Sequence, residues 1–198
     1  MKLSYELEEK YASLGYSVIC GTDEAGRGPL AGPVYAAAVI LERGTIIDGL
    51  NDSKKLSEKK RTQLFDEIVS VASSYSIASA SVEEIEEFNI LNAAQLAMRR
   101  AVNSLSISPS LVFVDGNIAR GFDFETVTVV HGDAISPSIA AASILAKVSR
   151  DRVCYELDAL YPEYGFARHK GYGTKEHYAA IKKYGITPCH RKSCLKGI

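Results

Sequence analysis

A chain of 198 residues has room for one well-cored domain with a small terminal appendage. Its 46% apolar and 24% charged residues are ordinary for a globular protein, and a net charge of −1 excludes a chain-wide basic field. No apolar run approaches a membrane span and the N-terminus has no signal-peptide core, so the expected setting is the cytoplasm, with no membrane partner and a monomeric chain.

Charge is nevertheless unevenly placed. Acids concentrate in Glu6 to Glu9 and Glu83 to Glu87, while Arg168 to Lys196 is rich in Lys, Arg and His, a local footprint for phosphates. The four cysteines (Cys20, Cys154, Cys189, Cys194) show no disulfide spacing. Cys189, His190 and Cys194 lack an evident fourth ligand and do not read as a zinc site.

In chain order, residues 2–15 predict a short amphipathic helix carrying Leu3, Leu7, Tyr11 and Leu14. The apolar run Ser17 to Cys20 and the run Val34 to Leu41 predict two strands, with Asp23 and Glu24 at the end of the first. Between them lies Gly26-Arg-Gly28, which lets backbone groups approach a ligand and offers a guanidinium suited to phosphate. Carboxylates beside such a turn repel a phosphate unless a metal cation lies between. The glycine spacing does not fit a dinucleotide fingerprint and leads into a strand.

Residues 49–57 form a polar loop with Lys54 and Lys55, and Ser57 is the N-cap of a helix with Leu64, Ile68, Val71 and Ala72 on one face. Tyr75 to Ser81 alternates as a strand. Ser81 and Glu84 form a capping box for a short acidic helix, and Ile90 to Leu105 is a longer one. Leu111 to Val114 reads as a central strand leading to Asp115, and Phe124 to Val130 as a strand leading to Asp133. Ser138 to Tyr161 is the longest helix, residues 165–173 a basic loop, and Thr174 to Tyr184 the last helix. The sum is an α/β domain with one sheet of about five strands and helices around it.

Three strands thus end in acid where an apolar run turns into a glycine-containing loop. Four carboxylates converging on one sheet edge suit hard divalent cations. Two such ions about 3.5–4 Å apart activate a water and stabilise the leaving oxygen of a phosphodiester. A nucleophile elbow and a Walker sequence are both absent. His169 and His190 read as phosphate contacts, Tyr161 and Tyr164 as packing residues. Tyr172, flanked by glycines, reads as a ring that stacks on sugar or base.

The segments Asp23-Glu-Ala-Gly-Arg-Gly-Pro-Leu-Ala-Gly-Pro33, Asp52-Ser-Lys-Lys-Leu56, Val114-Asp-Gly116, Gly132-Asp133, Ser138 to Val148 with Arg150-Asp151, and His169-Lys-Gly-Tyr172 together resemble bacterial ribonuclease HII, from about Thr22 to Ser193. The resemblance implies a ribonuclease H-like mixed five-stranded sheet flanked by helices, with residues 1–162 as catalytic domain. Residues 163–198 would then form a substrate-binding loop and small helical C-terminal segment. It implies Mg²⁺- or Mn²⁺-dependent cleavage of the RNA strand of RNA–DNA hybrids, and incision of DNA at single embedded ribonucleotides, leaving 3′-hydroxyl and 5′-phosphate ends.

Carried over by residue, Asp23, Glu24, Asp115 and Asp133 match the metal-binding acids. Gly26, Arg27 and Gly28 match the turn that reads the ribose 2′-hydroxyl, and Tyr172 the ring at the RNA-to-DNA junction. Lys54, Lys55, His169, Arg191 and Ser193 are the remaining expected substrate contacts. The chain departs from the family pattern at Ile135, where a basic residue is usual, at His131 in place of Lys, and at Cys194 in place of an aromatic; Ile135 puts one phosphate contact in doubt. Another nuclease of this fold would share the acids but not the 2′-hydroxyl reader, and a non-cleaving nucleic-acid module is the non-enzymatic alternative.

Overall fold

The computed structural model describes residues 3–195. Lys2, where the first helix is expected to begin, and Lys196, the end of the basic tail, lie outside the described residues.

Five strands form one sheet: β1 (Ile19–Ala25), β2 (Val34–Ile40), β3 (Ser74–Ala80), β4 (Leu111–Asp115) and β5 (Thr126–Val129), in the order β3-β2-β1-β4-β5. β2 lies antiparallel to β1 and β3, whereas β4 runs parallel to β1 and β5 parallel to β4, so the sheet is mixed. β1 continues well beyond its apolar run. Gly21 to Ala25 stay extended because β2 pairs with them on one side, while β4 pairs with the strand's first half on the other.

Helix α3 (Val82–Asn103) covers one face, burying Ala93, Ala94, Ala97, Met98 and Ala101 against Cys20, Ala36, Ala38, Val112 and Val114. It is two helices in series. Asn89 has φ 65°, and its side-chain oxygen accepts from the Leu91 and Asn92 N–H groups (both 3.1 Å), ending the acidic helix and capping the longer one. The expected capping box is present at Ser81 and Glu84.

The opposite face carries α4 (Pro137–Leu160), with α2 (Glu58–Val71) beside it and α1 (Glu6–Ser13) packed near Phe113. The small residues of α4 let it touch the sheet backbone: a Cβ at Gly21 would lie 2.3 Å from the Ser138 carbonyl carbon. That contact fixes the height of α4 above β1 and brings Ser143 to the neighbourhood of Asp23. Ser143 in turn shares a 2.7 Å hydroxyl hydrogen bond with Ser53, which ties the Lys54 loop to the helix.

The C-terminal segment adds α5 (Phe166–His169) and α6 (Lys175–Tyr184) around a separate cluster of Tyr164, Phe166, Ala180 and Ile181, closed by Leu30 and Ala31. The α5 turn falls inside the expected loop. Its four residues are bounded by left-handed Gly165 and Lys170, too short for a periodic signal.

Candidate active site

The C-terminal ends of β1 and β4 place the acids. Parallel pairing of Thr22 with Val114 sets Asp23 and Asp115 at neighbouring strand ends. Asp23 is buried at 4% exposure, and its Oδ1 accepts from the Glu24 N–H (2.7 Å). Glu24 follows on the opposite pleat and bends back over the same edge, where Arg27 Nη1 meets its Oε1 at 3.1 Å. Asp133, also buried, comes from the turn after β5. The Gly132 N–H donates to Asp115 Oδ1 (2.7 Å), and a Cβ at Gly132 would stand 3.1 Å from that oxygen, so glycine is needed for the close approach.

The carboxylates press on one another. Burial, then the charges of Glu24 and Asp115, hold the Asp23 carboxyl well above its usual range. Burial first and Glu24 next raise Asp115 against the relief from the Gly132 N–H, and burial with Asp115 raises Asp133 despite Lys54. Lys54 Nζ approaches Asp133 Oδ2 at 3.4 Å. Its own burial opposes the charge, but the combined field of Asp133, Asp23 and Asp52 holds the ammonium above its usual value. Two exposed cations, Lys54 and Arg27, do not balance four carboxylates, so the edge favours further cations. The donor set is all oxygen and all anionic, which suits a hard divalent ion. Among the described residues no group of three or more His, Cys, Asp or Glu side chains stands close enough to hold a metal ion by itself; a cation that keeps several waters can be held by fewer carboxylates.

Above the acids, residues 26–33 are shaped from beneath by Arg191. It is fully buried, and its guanidinium donates to the carbonyls of Gly26 (2.7 Å), Arg27 (3.1 Å), Pro29 (2.8 Å), Gly32 (2.8 Å) and Pro33 (3.3 Å). Arg191 is therefore not the phosphate contact expected from the sequence; every donor group of its fork is spent on the loop. Arg150 of α4 does similar work, donating to the Ala31 (2.8 Å) and Lys170 (3.3 Å) carbonyls and so stitching residues 26–33 to the Tyr172 loop. The sequence marks Arg150 only as part of a matching motif and gives it no role, because a buried arginine reads like any other basic residue until its partners are seen.

The structure sorts the other expected contacts. Tyr172 is half-exposed and its ring lies over Gly28, 3.2 Å from where a Cβ would stand. His169 is not free for phosphate: its Nε2 donates to the Tyr164 carbonyl (2.7 Å) and its Nδ1 accepts from the Gly171 N–H (3.2 Å). Ser193 is exposed, but its N–H and hydroxyl are both held by the Glu86 carboxylate (hydroxyl at 2.8 Å). Lys55 pairs with Asp52 (3.9 Å). Ile135 packs against the apolar cluster of Ile19, Phe113 and Ile139, which explains why no basic side chain is needed for packing there.

His177 and His190 are buried beside the Tyr172 loop with Tyr164, Phe166 and His169 around them. Burial lowers both, His190 to about 4. The folded state thus holds fewer protons than the unfolded chain, where His titrates near 6.5. Their contribution is fully present above about pH 6.5 and is lost as pH falls toward about 4. The raised carboxylates act with the opposite sign, so the comparison needs a variant. His190→Gln should flatten the acid-side fall in the urea midpoint; an unchanged slope would show that the histidines do not titrate as described.

A mixed five-stranded sheet with three acids at the ends of its central strands β1 and β4 and a fourth on the turn after the edge strand β5, under a glycine loop and a basic C-terminal segment, defines the ribonuclease H class of nucleases. The ribonuclease H2 structure from Pyrococcus horikoshii OT3 superposes with a TM-score of 0.74 at 29% identity, covering 89% of this chain and 93% of that one. The Bst ribonuclease HIII structure in complex with Mn²⁺ shares the fold at a TM-score of 0.64 and 17% identity, covering 88% and 65%. A sequence profile for Ribonuclease HII matches residues 20–196. The Clostridioides difficile (strain 630) ribonuclease HII is 58% identical over 93% of this chain and 72% of its own length. The chain belongs to the ribonuclease HII family. It is an endoribonuclease acting on RNA–DNA hybrids, and the family is metal-dependent. Among the described residues no helix is long and apolar enough to cross a membrane.

Proposed function

We propose that Asp23, Glu24, Asp115 and Asp133 hold a pair of divalent cations, Mg²⁺ or Mn²⁺, and that the chain incises DNA at single embedded ribonucleotides as well as cutting longer hybrids. The all-oxygen donor set and the mutual repulsion of the acids support the metal assignment. When bound, such a pair supplies an activated water and charge stabilisation at the leaving oxygen. Hydrolysis then joins the water oxygen to phosphorus and breaks the bond to the 3′ oxygen, giving 3′-hydroxyl and 5′-phosphate ends.

The chain's own groups orient the strand. Lys54 and Arg27, both exposed at the rim, meet the phosphate. Base edges cannot separate RNA from DNA in any sequence, so the 2′-hydroxyl is the mark to read, and the backbone of Gly26, Arg27 and Gly28 is shaped for it. Its carbonyls on the far side are already held by Arg191. Four free thiols support a cytoplasmic setting.

The observation that carries the single-ribonucleotide reading is the Tyr172 ring lying directly over Gly28, the last residue of the expected 2′-hydroxyl reader. Stacked on the next sugar, it favours a deoxyribose there. Stacking of this kind is worth ~1–3 kcal/mol, so Tyr172→Ala should lose roughly ten- to a hundredfold on a single embedded ribonucleotide. The loss should be smaller on a continuous RNA strand at the same salt and metal concentration. Equal loss on both substrates would leave Tyr172 as a packing residue.

A further inference from the structure

The Tyr172 loop is fastened from behind as well as in front. In front, the Leu30 N–H donates to the Gly171 carbonyl (2.8 Å), and Gly171 lies close against the Ala31 carbonyl. Behind it stand His177 of α6 and His190 of the tail, 0% and 2% exposed. Their ring nitrogens form one chain. The Thr187 N–H donates to His190 Nδ1 (3.0 Å), His190 and His177 meet Nε2 to Nε2 (3.1 Å), and His177 Nδ1 meets the Tyr172 carbonyl (2.9 Å).

The direction of this chain is forced. A nitrogen that accepts from an N–H carries no proton of its own, so neutral His190 is protonated on Nε2. It donates to His177 Nε2, which leaves the His177 proton on Nδ1, facing the Tyr172 carbonyl. Either imidazole, if charged, would set N–H against N–H. Two polar rings buried among Tyr164 and Phe166 are a costly way to fill space, and an apolar pair of the same volume would pack as well. What such a pair could not do is reach the Tyr172 carbonyl. The placement is tight: the ring clears a Cβ position on Gly28 by only 3.2 Å, so a small shift of the loop moves it off the reader.

We propose that His177 and His190 are positioning residues, forming a one-way hydrogen-bond relay from Thr187 that holds the Tyr172 ring at the nucleotide following the ribose. This rests on the reading of Tyr172 given above. Neither histidine touches substrate, and each acts only through the loop.

The test is a double-mutant cycle read as kcat/KM on two duplexes, one with a single ribonucleotide and one a continuous hybrid. His177→Ala should lose roughly tenfold on the single ribonucleotide and clearly less on the hybrid, as a partial copy of Tyr172→Ala. Adding His177→Ala to Tyr172→Ala should cost nothing further. His177→Asn, whose amide keeps a donor near the Nδ1 position, should recover most of the loss. Multiplying losses in the double variant would overturn the proposal, as would an equal loss on both duplexes for His177→Ala beside a selective loss for Tyr172→Ala. If His177→Ala does not fold, the same cycle run with His190→Leu, which removes the donor to His177 Nε2, decides the question. A Tyr172→Ala variant that itself fails to discriminate would sink the junction reading separately, leaving the positioning claim to additivity alone.

Discussion

Asp115→Asn leaves the protein folded and able to hold a ribonucleotide-containing duplex, but lowers cleavage by more than about a thousandfold. That exceeds the ~10²–10³ lost when a single neutral electrostatic donor is removed from a site, because a charged metal ligand at the centre of the cluster is lost. The amide keeps an oxygen for the Gly132 N–H, so the turn carrying Asp133 stays in place. The metal-free protein should also gain stability. Asp115 titrates above its usual range in the fold, so the folded state prefers the protonated acid. Its ionisation therefore costs stability as pH rises through the unfolded value toward the folded one, and that cost remains at neutral pH. The melting temperature of the variant in chelator at pH 7 should lie above wild type, and below it once a divalent cation is added to both. An Asp115→Asn protein with near-normal turnover would remove the metal assignment.

Arg191→Lys is expected to be almost as damaging, by another route. Lysine has three donors at one point and cannot match a fork that serves five carbonyls. Each carbonyl left dry costs about 1–3 kcal/mol, so residues 26–33 should loosen locally instead of staying ordered at that cost. We expect a folded protein with fast amide exchange confined to this loop and its contacts, and activity reduced by at least about a hundredfold on both substrates. Preserved loop protection with normal activity would show that the loop holds its shape without Arg191. The substrate pattern separates this effect from Tyr172→Ala, since an unformed 2′-hydroxyl reader affects long hybrids too.

The acids were legible before any coordinates because each ends an apolar run at a glycine turn, and that pattern survives without knowledge of packing. A sheet of about five strands with covering helices follows from the periodicity of segments such as Leu111 to Val114 and Ile90 to Leu105, whereas its mixed strand directions followed only from the family resemblance. The break at Asn89 was visible too, as a gap between a capped acidic segment and a longer apolar one. What the sequence hid is the direction in which polar side chains face. His169, Arg191 and Ser193 sit in a basic tail, and such a tail reads the same whether its donors meet phosphate or the protein's own carbonyls and carboxylates. The answer for Arg191 depends on a loop some 160 residues earlier in the chain, brought over it by tertiary packing. The first strand does end where the acid pair was expected, one residue past Glu24 at Ala25; pairing with β2 holds Gly21 to Ala25 extended whatever their propensity.

The central claim is that four strand-end carboxylates carry a metal-dependent cut directed by a ribose. Its most direct measurement is a labelled DNA duplex bearing one ribonucleotide, incubated with the protein in Mg²⁺ or Mn²⁺, in chelator, and beside an all-DNA duplex of the same sequence. The account expects one incision at the ribonucleotide, with 3′-hydroxyl and 5′-phosphate ends, only in the presence of the cation and only on the ribonucleotide duplex. Cleavage that persists in chelator, or that cuts the all-DNA duplex equally, would contradict it.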